Sequence, residues 1–239
     1  MIEITVTDSD INENNLLYVQ SVMSELFSHA DCAVRECVKD GRANLIINCR
    51  DYYADIIRAE VADKLAEIVA IKYKYDFFKK NIITECLSKV ENELLMASLI
   101  AADLDDDKKY AFDRLKDNND IAIDGVYNFR MIPLKNKWKD IIKYIPCGFM
   151  KSQLKDFITY LIDSKKNKVY VDCGKVYDSH YRRLKRCALI GGENLNIIRE
   201  VLLSNCGQVE LNGKIPKEDE YYLKEFYTDK ISFSTSAYK

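Results

Sequence analysis

Residues 33–49 read AVRECVKDGRANLIINC, and this stretch decides the fold of the N-terminal part of the chain. Apolar and polar residues alternate on both sides of Asp40-Gly41, a dipeptide that favours a tight turn between two paired strands. The stretch therefore predicts a β-hairpin, with one strand over residues 33–38 and the returning strand over residues 43–49.

The residues around the hairpin extend it to a β-α-β-β-α unit. Apolar residues at positions 2, 4 and 6 alternate with polar ones, which predicts a first strand with one buried face. Asn12 or Asn14 is predicted to cap the helix that follows. After the hairpin, Asp51 is predicted to cap a long helix running to about Lys80, because apolar residues recur there at helical spacing.

The remaining residues predict a helical middle and a small C-terminal α/β sheet. Asp124-Gly125 is predicted to start a helix that Pro133 breaks. Phe129 is expected to pack in the core, and Asn194 to cap a later helix. The predicted fold class is α+β, with residues 1–81, 82–165 and 166–239 as three domains or as one continuous domain. The pattern leaves open whether the C-terminal sheet extends the N-terminal one.

The composition is that of an ordinary globular protein. Of the 239 residues, 48% are hydrophobic and 31% are charged, and the formal net charge of −2 provides no global field to attract nucleic acid or acidic membranes. No apolar run approaches 18 residues, and residues 1–5 contain no basic region before an apolar one. We therefore expect neither membrane insertion nor a secretory signal. The eight cysteines are then expected to be reduced thiols, and the predicted location is cytoplasmic.

Two groups of residues resemble metal ligands, and neither predicts a metal site. Asp103, Asp105 and Asp107 match the first positions of a calcium loop, but Lys108 and Arg114 stand where the loop needs Gly and Glu. The run instead predicts the start of a helix, where carboxylates suit the helix dipole. A second group, which lacks paired CxxC spacing, could hold zinc only if it converged in space: His29, Cys32, Cys37 and Cys49.

Candidate catalytic residues are equally few. Cys173 or Cys187 could pair with His180 as a nucleophile and base, with Asp172 or Asp178 as the orienting group, but sequence spacing alone does not establish such geometry. We therefore predict no catalytic residue and no cofactor, and the sequence favours a non-enzymatic protein. Gly-rich phosphate-binding loops are missing from the sequence. Gly191-Gly192 precedes a helix whose free N–H groups could hold an anion, although a simple connector explains the pair as well.

The segment from residue 165 to residue 186 is the most informative charge feature. Tyr170, Tyr177 and Tyr181 are interleaved with its cations, and cations on phosphates combined with aromatic stacking is how single strands are held. A solvated face or an acidic protein partner would also explain the pattern. The candidate residues for binding nucleic acid or another anion are Lys165, Lys166, Lys168, Lys175, Arg182, Arg183, Lys185 and Arg186.

Residues 121–130 read IAIDGVYNFR, and this stretch resembles the central signature of the YtxC-like sporulation proteins of spore-forming Gram-positive bacteria. The family shows an I-x-I-E/D-G-x-x-x-F-R segment at the start of a helix. Further segments like residues 154–161, 168–171 and 200–233 follow in the order expected of that family. The resemblance implies a cytoplasmic protein with a sporulation-related role. It carries no catalytic residues, because the family has no assigned activity.

These observations lead to two functional hypotheses. The first is a non-enzymatic, sporulation-associated protein that acts through a protein partner or through self-association, using apolar helix faces near residues 94–104 and 141–145. The alternative is a module that binds nucleic acid or another anion through residues 165–186.

Overall fold

The computed structural model describes residues 1–9, 13–192 and 194–234, and the predicted cap Asn12 lies outside this range. The strands are β1 (Ile2–Ser9), β2 (Ala33–Lys39), β3 (Arg42–Cys49), β4 (Asp120–Ala122), β5 (Lys168–Asp172), β6 (Lys175–Tyr177), β7 (Gln208–Asn212) and β8 (Ile231–Phe233). The helices are α1 (Glu13–His29), α2 (Ala54–Ile68), α3 (Lys74–Asn81), α4 (Lys89–Ala102), α5 (Leu104–Leu115), α6 (Ile123–Arg130), α7 (Ile132–Ile142), α8 (Lys151–Asp163), α9 (Cys187–Ile190), α10 (Asn196–Leu203) and α11 (Lys217–Tyr227). The predicted α+β class, with a helical middle and a small C-terminal sheet, is confirmed.

The chain forms two compact units, and each combines two separate stretches of sequence. The first unit contains Met1–Lys74 and Asp105–Asp140, and the second contains Tyr75–Leu104 and Ile141–Lys239. The predicted helical segment 82–165 therefore contributes to both units.

The sheet of the first unit has the strand order β2-β3-β1-β4. Strands β2 and β3 form the predicted hairpin, with Lys39 opposite Arg42. The two turn residues, Asp40 and Gly41, have φ values of 54° and 69°, as a primed two-residue turn requires. Strand β1 pairs antiparallel with β3 and parallel with β4, so a short segment far along the chain completes the sheet.

The core of the first unit lies against one face of this sheet. Alternate residues of β1 and β3 are fully buried, including Ile4, Val6, Leu45 and Ile47, and α1 contacts both strands. The long predicted helix after the hairpin is confirmed as α2 and α3 joined by a π-helical turn over Val69–Tyr73. The predicted cap Asp51 is wrong, because Asp51 lies in a short 3-10 turn before α2 and Tyr53 occupies the cap position.

The second unit has its own sheet, with the strand order β6-β5-β7-β8. The C-terminal strands thus do not extend the N-terminal sheet. Strand β5 pairs antiparallel with β6 and parallel with β7. Val169 and Val171 are buried on one face, whereas their neighbours Lys168, Tyr170 and Asp172 on the other face are only partly buried.

Several predicted caps and core positions are wrong. Helix α1 already begins at Glu13, so Asn14 lies inside its first turn. Asp124 is the second residue of α6, and its carboxylate accepts hydrogen bonds from the Gly125 N–H at 2.9 Å and from Arg42 at 2.5 Å. Phe129, expected in the core, is 81% exposed, because it lies on the outer side of α6.

The break at Pro133 is confirmed, because α6 ends at Arg130 and α7 begins at Ile132. Pro133 lies in the first turn of α7, where backbone N–H groups have no partner within the helix, so the N–H that proline lacks costs no hydrogen bond.

Asn194 does not cap α10, because Leu195 occupies the cap position in a left-handed conformation, with φ of 59°. The cap comes from another element. The Asp219 carboxylate on α11 accepts the Ile197 and Ile198 N–H groups at 3.0 and 2.9 Å. The cap is therefore provided by a carboxylate 21 residues after Ile198 in the chain, and not by the side chain of Asn194.

Candidate anion-binding site

The eight predicted basic residues all lie in the second unit. Lys165 and Lys166 lie between α8 and β5, and Lys168 and Lys175 lie on β5 and β6. Arg182, Arg183, Lys185 and Arg186 lie on the segment that leads to α9.

Strand pairing places part of this set on one face of the sheet. Tyr170 is directly opposite Tyr177, and Tyr177 is bridged to Arg183. Opposed residues share a face, so these three side chains form a row on the face that does not carry Val169 and Val171. Lys168 alternates with the buried Val169 on β5, and Lys175 with the buried Val176 on β6, so both lysines belong to this open face as well.

Some cations of the segment are committed to other parts of the fold. Lys168 Nζ donates to Glu210 at 2.6 Å, and this hydrogen bond raises the pKa of the lysine. Arg182 Nε donates to Asp178 at 2.8 Å. The Arg186 side chain donates to the Leu203 carbonyl at 3.0 Å and ties its segment to the end of α10.

Three other members of the set meet around a cavity of about 410 Å³ at the edge strand β6. Lys175, Arg183 and Lys185 line it, together with Gly191 and Gly192 from the connection before α10. Arg183 and Lys175 therefore belong both to the open face and to the cavity wall. A volume of this order is typical of small-ligand pockets, which span about 300–1,000 Å³.

The glycine pair is required by its surroundings. Gly191 and Gly192 have φ values of 64° and 98°, a region that residues with a Cβ rarely adopt. A Cβ on Gly192 would also lie 2.6 Å from Nη1 of Arg199. Arg199 Nη2 donates to the Gly191 carbonyl at 2.5 Å. The glycines thus let the chain pass close to a guanidinium that is only 2% exposed.

Arg199 lies against Gly191 and Gly192 and brings a positive charge to them. Its Nη2 lies 3.8 Å from a Glu93 carboxylate oxygen, and Nη1 donates to the Asn194 carbonyl at 3.4 Å. Its Nε finds no hydrogen-bond partner among the residues that the structure describes. A buried guanidinium that is incompletely bonded favours negative charge nearby.

The N–H groups at the start of α10, which could have held an anion, are in part bonded within the protein, and the simpler interpretation of Gly191-Gly192 as a connector suffices. Two of these N–H groups already donate to Asp219, as described above. Burial raises the pKa of this carboxyl, whereas the two hydrogen bonds lower it.

Glu200 provides a carboxylate in the cavity lining. It is buried, and it accepts hydrogen bonds from the N–H groups of Arg186 at 2.9 Å and Cys187 at 2.6 Å. These bonds cap the short helix α9 and disperse the charge of Glu200. The described lining therefore includes three cationic residues and one carboxylate that accepts backbone hydrogen bonds.

The cysteine and histidine candidates do not form a nucleophilic pair in the described residues. Burial raises the pKa of Cys187 to about 12, so its thiol is protonated at neutral pH. Its Sγ lies 3.5 Å from the Asn196 side chain. His180 is exposed, and its Nδ1 lies 3.4 Å from Ser179 Oγ. Cys173 is exposed at the tip of the β5–β6 hairpin.

Metal ligands do not converge in the described part of the chain: it holds no group of three or more His, Cys, Asp or Glu side chains suited to a metal ion. His29 Nδ1 lies 2.7 Å from the Glu25 carbonyl oxygen of its own helix. The acidic run does open a helix, α5, as the sequence predicted.

Asp107 has a role that sequence reasoning missed. It is buried in the first unit and accepts hydrogen bonds from Lys74 at 2.7 Å, Lys137 at 2.9 Å and Trp138 at 2.8 Å. Burial alone would raise its pKa, but the Lys74 ammonium and the other donors hold the pKa below its usual value. Because protein donors surround this carboxylate, we interpret the cluster as structural.

The apolar helix faces that the sequence offered to a protein partner are largely internal. Leu94, Leu95, Leu99 and Leu104 are all buried within the second unit, so residues 94–104 do not present an exposed apolar patch. Ile141 and Ile142 are partly buried, and in the same stretch Tyr144 is exposed.

Comparison of the chain with protein-family models, with curated proteins and with solved structures finds no match. The resemblance to YtxC-like proteins therefore stays a prediction. Among the helices of the described residues, none has the length and apolar character needed to cross a membrane.

Proposed function

We propose that the second unit binds a phosphate-bearing anion in the cavity at strand β6 and that it does so without catalysis. One observation carries the proposal. Lys175, Arg183 and Lys185 surround a single cavity of about 410 Å³ in which the carboxylate of Glu200 is already held by two backbone N–H groups. Cations gathered in a concave site favour an anionic ligand, because each adds to the same local potential.

Phosphate suits this site better than a carboxylate does, because a phosphate monoester carries a charge of about −1.5 to −2 at pH 7 that several cations can share. Arginine offers a planar fork that binds two oxygens of one phosphate, and lysines add point charges around it. The protonated Cys187 thiol gives the site no nucleophile at neutral pH, which supports binding without catalysis.

The test is a calorimetric titration of the protein with inorganic pyrophosphate at low and at physiological salt. We expect binding that weakens as salt is added and that falls at least tenfold in the Lys175→Glu, Arg183→Glu double variant. Lys155→Glu, a charge reversal at an exposed position on α8, is the matched control and should bind as the wild type does. Equal binding by the double variant and the control would refute the proposal.

The first unit offers a second candidate function, binding of a protein partner. A cavity of about 380 Å³ lies beside β4, the edge strand of its sheet, and is lined by Ile121, Val126, Phe129 and Arg130. These residues belong to the segment that resembles the YtxC-like signature. The candidate rests on the exposed Phe129 ring beside the cavity, since aromatic side chains are common anchors of protein interfaces.

For this candidate we propose a sporulation-associated role in the cytoplasm of a spore-forming bacterium, as the resemblance implies. A strain in which Phe129→Asp replaces the wild-type residue should then form fewer heat-resistant spores, with the protein still present at normal level. Tyr52→Asp, a change at another exposed aromatic residue of the first unit, is the control. Normal spore counts in the Phe129 strain would argue against the role.

A further inference from the structure

We propose that the ligand of the second unit is a single-stranded nucleic acid, with one base stacked on Tyr181 and its phosphates on Lys175 and Arg183. This inference rests on the proposed function and names the class of ligand. The observation behind it is an exposed aromatic ring held on the open sheet face beside the basic cavity.

One face of the Tyr181 ring is covered and the other is open. Tyr181 stacks on Tyr170 with ring centroids 4.5 Å apart and an interplanar angle of 17°. The residue is nevertheless 67% exposed. A ring that packs on another ring with one face and exposes the other face to solvent is a surface on which a flat base can stack.

The loop that presents this ring is held in place by its own hydrogen bonds. The Asp178 carboxylate accepts from the backbone N–H of His180 at 2.9 Å and of Arg182 at 3.0 Å. Arg182 Nε adds a third bond to the same side chain at 2.8 Å. Tyr181 itself has φ of 57°, and its N–H donates to the Asp178 carbonyl at 3.0 Å. These hydrogen bonds therefore fix the position of the Tyr181 ring without a ligand.

The stacking ring and the cations lie on adjoining parts of one surface. Arg183 follows Tyr181 by two residues and is bridged to Tyr177, whose strand also carries Lys175. Arg183 and Lys175 line the cavity. A chain with a base on Tyr181 could therefore place neighbouring phosphates against these two cations.

The charge pattern favours a single strand over a duplex or an acidic protein. Lys168 is paired with Glu210 and Arg182 with Asp178, which leaves few cations of the segment to match the regularly spaced phosphates of a duplex. The side chains of an acidic peptide would use the cations, but Asp and Glu offer no flat ring for Tyr181. An unstacked base with its phosphates uses both features, and open sheet faces with aromatic rings bind such bases.

The test is fluorescence anisotropy with labelled oligo(dT) and oligo(rU) of 12 nucleotides, using the whole chain. Because a stacked base contributes about 1–3 kcal/mol, we expect Tyr181→Leu to weaken binding by roughly 5- to 150-fold. Tyr181→Trp should restore it. Tyr160→Leu, at a tyrosine on α8 that is 72% exposed, is the matched control and should bind as the wild type does.

Phosphate contacts have a separate readout in the salt dependence. Neutralising two contacts with Lys175→Gln and Arg183→Gln should reduce the slope of log K against log salt by about 1.4 for a single strand. Competition with duplex DNA of equal length and with polyglutamate shows which class of ligand is preferred.

The outcomes separate the inference from the proposed function. If pyrophosphate binds in the cavity and the oligonucleotides do not, the inference is wrong and the anion site stands. Equal affinity of Tyr181→Leu and Tyr160→Leu, or tighter binding of duplex or polyglutamate, would also overturn it. If neither pyrophosphate nor an oligonucleotide binds, both the inference and the proposed function fail.

Discussion

At the scale of single residues, Asp107 carries the largest expected effect on stability. Its carboxylate and the Lys74 ammonium are both fully buried, 2.7 Å apart. Asp107→Asn would remove the charge of the carboxylate to which this buried ammonium donates. We expect the free energy of unfolding to fall by about 3–5 kcal/mol. Urea denaturation measures this loss, and Asp106→Asn, at an exposed position of the same turn, should change stability by less than about 0.5 kcal/mol.

The same residue predicts a pH dependence. The pKa of Asp107 is lowered in the folded protein, so its stabilising contribution is present above the pKa of an unfolded aspartate, about 3.9. That contribution is lost as the pH falls through the lowered folded value. Wild-type stability should therefore drop below about pH 4. Asp107→Asn should show a shallower drop in the same urea titrations, and an identical pH profile would contradict this account.

Gly192 gives a second prediction at this scale. Two features disfavour a side chain at this position. Its φ is 98°, and a Cβ there would lie 2.6 Å from the Arg199 Nη1 atom. We expect Gly192→Ala to lower the free energy of unfolding by about 1–3 kcal/mol. Gly148→Ala is the control, because a Cβ there meets nothing within 4 Å. If both variants unfold at the same denaturant concentration, the close approach of Arg199 does not restrict which residue can stand at position 192.

At the scale of elements, the cap of α10 comes from α11. Asp219→Ala removes the acceptor of the Ile197 and Ile198 N–H groups, which should cost about 0.5–2 kcal/mol of stability. Hydrogen exchange should become faster at these two amides first, because they lose their partner directly. Glu218→Ala, an exposed change in the same turn, is the control. Unchanged exchange at both amides would show that α10 does not depend on this cap.

The elements also show what local sequence could predict. The hairpin at Asp40-Gly41 and the helix opened by Asp105 were predictable, because turn chemistry and first-turn carboxylates act over a few residues. The caps near Asn14 and Asn194 were wrong. In the second case a residue on another helix takes the role, and nothing within a short window identifies it.

At the scale of the whole molecule, burial could not be assigned from the pattern of apolar residues alone. The apolar face of residues 94–104 was expected to attract a partner, but the fold itself buries it. Phe129 was expected in the core and is exposed. Which face of a helix meets the rest of the protein depends on long-range packing. The joining of β4 to the first sheet is a contact of this kind.

The candidate site was predictable in part for the same reason. The sequence shows eight cationic side chains in residues 165–186, but it does not show which of them bond to other parts of the fold. Glu210, which binds Lys168, lies 42 residues away in the chain. The strand pairing of Tyr177 with Tyr170 and Arg183 selects the residues that share a face. Only the folded structure shows that Lys175, Arg183 and Lys185 line one cavity.

The central claim is that these three residues form an anion site, and nuclear magnetic resonance tests it most directly. Inorganic pyrophosphate added to the isotope-labelled protein should shift the backbone amide signals of Gly174, Lys175, Arg183, Lys185 and Gly191, which line the cavity. The shifts should saturate with one ligand per chain and diminish as salt is added. Signals that stay unmoved at these residues, or that move equally at lysines across the whole surface, would contradict the account.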